Sequence, residues 1–360
     1  MEPAAVRAVL ARTPGLTVRH LDPLAATGLG LGPELVPALL ARPLPHRTRA
    51  WLQAPRRCLI DSDLRSIEEN RCQILCSLDP GFPSALAALP DAPATVYLRG
   101  DAAALARPVL AIAGAAVPSP AGTDVARAFA ARLAQAGLGI ATGLAEGIGS
   151  AAQAGAARTG GGCIAVAITG LDRIRSASSA RLAAEAAAAG CVISPFPPGT
   201  PPQRYHFAIR HRLLAALSVG VLLIEADARG GALGVAARAQ ALRRPVFAVP
   251  GSIRDPHARA CNLLIRGGAT LVQEPAEILA DLNLTDIQGL AAVRAAPDPG
   301  PPLDNKYEML LDAAGFEPVD IDELALRTGW PVPVLTSMLL LLELQGRVAP
   351  QPGGRYCRLS

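Results

Sequence analysis

The chain has 360 residues, 51% hydrophobic and 18% charged, with a net charge of +4. That length and composition exclude an intrinsically disordered chain and leave room for two or three domains with a sizeable core. The modest positive balance does not by itself announce nucleic acid. All basic residues except Lys306 are arginine, the side chain suited to bidentate phosphate contacts, although a GC-rich genome produces the same bias.

Cys58, Cys72, Cys76, Cys163, Cys191, Cys261 and Cys357 are scattered, and no second pair or histidine cluster completes a zinc site around Cys72 and Cys76. No basic start with an apolar core and cleavage site opens the sequence, and no apolar run reaches the length of a membrane span. These features predict a cytoplasmic, reduced protein without a membrane segment.

In chain order, residues 1–70 read as a small helical unit of the SAM-like type. Its helices are expected at Ala4–Ala11, Val18–Ala26, Pro33–Leu40 and Arg57–Ile67. The run Gly28–Gly32 is either a plain helix connection or a hairpin that approaches a DNA backbone. Short strands are expected at Gln73–Cys76 and Thr95–Arg99, around a turn at Asp79–Pro83 and a helix at Ser84–Leu89.

Strands and helices then alternate. Strands are expected at Val109–Ala113, Leu138–Ala141, Cys163–Ala167, Cys191–Ser194, Val219–Ile224 and Val246–Val249. Helices are expected at Pro120–Ala136, Gly149–Arg158, Arg181–Ala188, His206–Leu217, Ala232–Ala241 and Ala258–Arg266. Ser119 is placed to cap the first of these helices, with Pro120 in its first turn. Apolar strands alternating with helices predict an α/β fold, a Rossmann-like parallel sheet covered on both faces, over residues 71–288.

Ala295–Pro302 is proline-rich and reads as the centre of a linker over residues 289–304. Beyond it, helices at Tyr307–Ala314, Ile321–Thr328 and Val334–Leu344 precede strands at Val348–Ala349 and Tyr356–Leu359 around Gly353-Gly354. That is a winged helix-turn-helix over residues 305–360. This unit holds five bases against seven acids, a net charge of −2, and its third helix carries no base. A major-groove reader needs arginine or lysine there, so a packing or protein-contact role fits better.

The chemistry concentrates at Ser194–Ser218. That stretch carries Arg204, His206, Arg210, His211 and Arg212, and no acid intervenes between Glu185 and Glu225. A locally uncompensated cationic segment suits a phosphate-rich ligand, or it is an arginine-rich surface helix that is simply solvated. Gly114-Ala115-Ala116, Gly143–Gly149 and Gly170-Leu171-Asp172 follow strand ends, where backbone amides can approach a phosphate; they also serve as plain turns. No GxGxxG, GxxxxGK[ST] or GxSxG motif is present. Glu225 either faces the ligand cleft or caps and pairs locally. No catalytic constellation emerges.

Read together, Asp79-Pro-Gly-Phe-Pro83, Gly143-Leu-Ala145 with Gly147-Ile148, and Gly170-Leu-Asp-Arg-Ile174 resemble the DNA-processing protein A (DprA, or Smf) family. So do Phe196–Pro202, Arg210-x-Arg212 with Leu217-Ser218, Phe247–Gly251, and Cys261-Asn262 with Leu264–Arg266 and Gly268-Ala269. Asp322–Ala325, Thr328-Gly329 and Leu342–Gly346 resemble its winged helix.

The resemblance implies a single-stranded DNA-binding protein of natural transformation and recombination, not an enzyme. It would dimerise through the Rossmann-like domain, protect incoming DNA and load the RecA recombinase, with neither ATP nor a metal. It implies DNA contacts among Arg210, Arg212, Arg204, His206, His211, Phe207, Gly114, Gly143, Gly147 and Arg173.

The sequence also departs from the family pattern. Gly-Ser-Arg is Gly114-Ala115-Ala116, the arginine of Gly-Leu-Ala-Arg-Gly-Ile-Asp is Glu146, and the aspartate is Gly149. Arg-Asn-Arg is Arg210-His211-Arg212, Ser-Glu is Ser194-Pro195, and Ser-Gly-Ser-Leu-Ile-Thr-Ala is Gly230–Ala236. With Ala116 and Glu146 across the pocket, weakened or altered DNA binding is expected, with Arg210 and Arg212 carrying most of the contact.

Two alternatives remain. One is a degenerate relative that acts as an interaction protein. The other is a nucleotide-processing phosphoribohydrolase of similar fold, whose Pro-Gly-Gly-x-Gly-Thr-x-x-Glu signature is absent.

Overall fold

The computed structural model describes residues 2–89, 91–160, 162–226, 230–284 and 305–359. The expected linker segment Ala295–Pro302 lies outside them.

The chain opens with α1 (Pro3–Arg12), α2 (Val18–Ala25), α3 (Leu35–Leu40), α4 (His46–Gln53) and α5 (Arg57–Glu69). Helix α4 was not anticipated: its sequence HRTRAWLQ is polar and lies between prolines, which hides its period. Leu29 and Leu31 of the glycine run pack against the buried cluster of this unit, which favours the plain connection.

Next come β1 (Cys72–Cys76), α6 (Ser84–Ala87) and β2 (Thr95–Gly100), then the alternating part. Its strands are β3 (Val109–Gly114), β4 (Gly139–Gly143), β5 (Cys163–Val166), β6 (Gly190–Ser194), β7 (Gly220–Ile224), β8 (Val246–Ala248) and β9 (Thr270–Leu271). Its helices are α7 (Pro120–Gln135), α8 (Ile148–Ala157), α9 (Ala177–Ala189), α10 (His206–Leu217), α11 (Ala232–Ala241), α12 (Arg259–Arg266) and α13 (Pro275–Asp281). The short elements β9 and α13 were missed from sequence.

Strand order is β1-β2-β6-β5-β4-β3-β7-β8-β9. From β6 to β9 the pairing is parallel, whereas β1–β2 and β2–β6 are antiparallel. The sheet is therefore parallel over the alternating region and mixed at one edge, where β2 runs antiparallel to both β1 and β6. The order reverses between β3 and β7, which pair from Leu110↔Gly220 to Gly114↔Ile224. In an open sheet the ligand crevice lies outside the carboxyl ends at such a reversal.

Both faces are buried because the strands alternate. Val109 and Ala111 of β3, with Val221 and Leu223 of β7, join the cluster that holds Leu213, Leu214 and Leu217 of α10 and Val235 and Ala236 of α11. Leu110, Ile112, Leu222 and Ile224 point the other way, onto Phe129 and Leu133 of α7 and Ile148 of α8. Each fully buried leucine contributes roughly 1.5–3 kcal/mol, which locks the azimuth of α10.

The C-terminal unit comprises α14 (Asn305–Ala314), α15 (Ile321–Thr328) and α16 (Val332–Leu344), with a sheet ordered β10-β12-β11 from β10 (Val319–Asp320), β11 (Val348–Gln351) and β12 (Arg355–Arg358). Gly353 and Gly354 turn the hairpin at positive φ. This is a winged helix whose small sheet gains β10, a two-residue strand not read from sequence. Among the described residues no single helix is long and apolar enough to cross a membrane.

Candidate nucleic-acid interface

The carboxyl edge of the sheet places α10 beside the end of β4. Arg210 projects there. A Cβ added at Gly143 would stand 2.9 Å from its Cζ, so a side chain there would push the guanidinium off that strand end. Its Cζ lies 4.9 Å from the centroid of Phe207, one helical turn earlier and 42% exposed. Arg210 Nε is buried with no hydrogen-bond partner. Burial pushes its pKa down to about 10, so it remains a cation at neutral pH. Among the described residues no carboxylate pairs with it. A desolvated cation without an anion is costly, and an incoming phosphate would relieve the cost.

Arg212 is elsewhere. Two residues along the helix, it turns to the other side and binds Asp91. The expected Arg210/Arg212 pair is thus divided: only Arg210 faces the end of β4. Glu146 is likewise paired. Its carboxylate is paired with Arg181 at 3.4 Å, and Arg181 also binds Glu185 at 2.8 Å.

The remaining candidates sort by burial. His206 is buried; its Nδ1 donates to the Ile168 carbonyl at 2.7 Å, and its ring stacks on Phe196 at 3.9 Å. It anchors the start of α10 and does not face the cleft. His211 packs against Gly231 and Gly234 at the start of α11. Burial first, then the charges of Arg210 and Arg238, push its pKa down to about 4, so it is neutral beside the cation. Arg204 is exposed in the turn before α10. Arg173 lies 3.4 Å from Asp172 in an ion pair.

Gly114 and Gly147 are packing positions. A side chain at Gly114 would meet the Ile224 carbonyl and Ile148, and one at Gly147 (φ 97°) would meet the carbonyls of Ala115 and Ala116. They permit the close approach of β3, β7 and α8 that forms the crevice.

The crevice itself holds an internal anion. Glu225, at φ 42° just beyond β7, accepts from Ser119 N at 2.8 Å and from the Ser119 hydroxyl, while Ser119 Oγ accepts from Gly122 N at 3.0 Å. Of the two readings open for Glu225, capping is the one observed. The carboxylate sits at the positive end of α7, where a bound nucleotide would place a phosphate. Sequence reasoning identified Ser119 as the cap but did not join it to Glu225, 106 residues away.

All seven cysteines are free. Among the described residues no group of three or more His, Cys, Asp or Glu side chains could hold a metal ion.

The fold and site define a Rossmann-like protein with an appended winged helix and an unpaired cation at the carboxyl edge of its sheet. A family model described as DNA recombination-mediator protein A matches residues 73–283, and one described as DprA winged helix domain matches residues 294–354. The chain is 36% identical over 321 residues to Protein Smf of Escherichia coli (strain K12), spanning 87% of this chain and 84% of that protein. It is 36% identical over 224 residues to DNA processing protein DprA of Streptococcus pneumoniae, spanning 62% and 79%.

Among solved structures, DprA from S. pneumoniae aligns with a TM-score of 0.65 at 28% identity, over 78% of this chain and 99% of that one. A DNA processing protein A from Helicobacter pylori, whose structure describes a single-stranded DNA binding mode, aligns with a TM-score of 0.53 at 27% identity, over 59% and 96%. The chain belongs to the DprA/Smf family.

Proposed function

We propose that this protein binds single-stranded DNA at the carboxyl ends of β3, β4 and β6, with Arg210 as the phosphate-binding cation and Phe207 as the base-stacking surface. One observation carries the reading: a guanidinium with no carboxylate partner and its Nε buried lies beside an exposed aromatic ring on one helical turn. Backbone charge and an open base face are what a single strand presents together, whereas a duplex keeps its bases stacked on one another. Membership of the DprA/Smf family and the single-stranded DNA binding described for the H. pylori relative support it.

The wider reading follows the family resemblance. The protein acts as a binding protein rather than an enzyme, protects incoming DNA in transformation and recombination, and delivers it to the RecA recombinase. It works in the cytoplasm without ATP or metal. It divides into a helical unit (1–70), a Rossmann-like domain (71–288), a linker (289–304) and a winged helix (305–360). Leu263 of α12 and Leu271 of the edge strand β9 are exposed and offer an apolar surface for a homodimer of the Rossmann-like domain. A nucleotide-processing role has little support, because Glu225 already occupies the phosphate position at the start of α7.

The winged helix favours a different role from DNA reading. Leu340, Leu341 and Leu344 of α16 are exposed, and the helix carries no base. A largely apolar outer face that carries Glu343 and no base fits a protein contact better than a major groove.

The test is a titration of labelled oligo-dT and of a matched duplex at two salt concentrations, with native protein and with Arg210→Ala. A single-strand preference is expected, weakened by Arg210→Ala, with a salt slope shallower by about 0.7. No single-strand binding at low salt would replace this reading with that of an interaction protein.

A further inference from the structure

The loop from β6 to α10 is fastened at two points. On one side both carboxylate oxygens of Asp172 accept from Gly199 N at 3.0 Å, and Gly170 N donates to the Thr200 carbonyl at 3.1 Å. On the other side stands the N-terminal helical unit. Arg12, the last residue of α1, donates from Nη2 to the Pro198 carbonyl at 3.0 Å. The same guanidinium is held by Asp63 of α5 through Nη2–Oδ1 at 2.7 Å and through Nε–Oδ2, and Asp63 is only 1% exposed. The hydrogen bond to Asp63 raises the Arg12 pKa above its ordinary value, which keeps it a cation throughout.

Direct packing of the helical unit on α10 is not the main fastening. A cavity of about 350 Å³ lies between Leu10, Thr13 and Thr17 on one wall and Ile209, Arg212 and Leu213 of α10 on the other. The loop itself transmits position well. Pro197, Pro198, Pro201 and Pro202 restrict φ, and the one left-handed residue, Gly199 at φ 84°, is the one that Asp172 pins. Phe196, at the start of the loop, stacks on His206, the first residue of α10.

We infer that Arg12 is a positioning residue for the DNA site: the chain Asp63–Arg12–Pro198 lets the helical unit set where α10 begins, and so where Arg210 and Phe207 stand. This rests on the single-stranded DNA reading above. It makes the helical unit a partner of the site, so that a change in its docking alters DNA affinity and DNA binding alters its docking.

Positioning and contact roles separate experimentally. Arg12→Ala should raise the Kd for oligo-dT about 3- to 30-fold, with the salt slope unchanged because no phosphate contact is lost. Arg210→Ala should instead make the slope shallower by about 0.7. Asp63→Asn is the sharper variant. If Arg12 touched phosphate directly, releasing it from Asp63 would tighten binding; the positioning role requires weaker binding. Arg12→Lys, which keeps the charge but cannot bind Asp63 in two places, should fall between native and Arg12→Ala.

Amide hydrogen exchange of residues 203–208 in the unliganded protein should rise in Arg12→Ala and Asp63→Asn, a readout that needs no DNA. Where Arg12→Ala does not fold, Arg12→Lys and Asp63→Asn are read by the same measurements. Native exchange in these variants, tighter binding by Asp63→Asn, or a shallower slope in Arg12→Ala would each overturn the inference. Unchanged binding by Arg210→Ala would instead bring down the DNA site, leaving the exchange result to decide the positioning of α10.

Discussion

Arg210 and Arg212 stand two residues apart on α10 and serve opposite sides of it. Arg210 lies over Phe207 with Nε buried and unpartnered, while Arg212 is bound to Asp91. Side chains two apart diverge by about 200° around a helix, so one buried face cannot take both. The outcome is one neutralised surface arginine and one cation held ready in the crevice, and these have opposite consequences for stability and binding.

Arg210→Met should stabilise the unliganded protein by about 1–3 kcal/mol, because it removes a desolvated charge that has no partner, while abolishing the DNA contact. Arg212→Ala should change oligo-dT affinity by less than about 1 kcal/mol, as expected for an exposed ion pair. Urea unfolding and anisotropy check the two effects. A less stable Arg210→Met protein would show that the guanidinium is satisfied in the unliganded state after all.

Phe207→Ala should cost about 1–3 kcal/mol of single-strand affinity, the usual worth of one stacked base, and leave the salt slope unchanged. Phe207→Tyr should bind nearly as well as the native protein, since stacking needs only the ring. The ring is exposed, so stability should move by no more than about 0.5 kcal/mol in either variant. An unchanged Kd for Phe207→Ala would remove the base contact from the site.

Gly122 is the space in which the Glu225 carboxylate sits, and any side chain there would overlap it. Gly122→Ala should therefore displace Glu225 from Ser119 and destabilise the fold. Glu225→Ala should cost about 1–3 kcal/mol through the hydrogen bonds lost at Ser119. Once the carboxylate is gone, adding Gly122→Ala should cost much less than it does alone. A double-mutant cycle read by urea unfolding should give a coupling of about 0.5–3 kcal/mol; simple additivity would refute the arrangement.

His211 predicts a pH dependence. Its pKa is pushed from the usual 6.5 down to about 4 in the folded protein, by burial first and then by Arg210 and Arg238. The unfolded chain thus takes up a proton at a higher pH than the folded one. The associated stability is complete above pH 6.5 and is lost as pH falls towards 4. His211→Asn should narrow the difference in Tm between pH 7 and pH 5. An identical pH dependence in the variant would assign it to other groups.

How much of this was legible beforehand follows the range of the interactions. The cap at Ser119, the limits of α10 and α11 and the glycine turn of the wing were readable because each is decided within a few residues by capping, apolar period and turn chemistry. Helix α4 escaped because its polar sequence has no marked apolar face, and β9 because two residues carry no period.

The site divided along the same line. That Ser194–Ser218 is cationic and follows a strand end was plain from residue types alone. Which arginine stays unpaired was not. Arg212 finds Asp91 across 121 residues, Arg12 finds Asp63 across 51, and Glu225 reaches Ser119 across 106. Those meetings depend on strand order and on the azimuth that burial of Leu213, Leu214 and Leu217 imposes on α10. Composition sets how many charges a segment has; the packed core decides which of them remain free for a ligand.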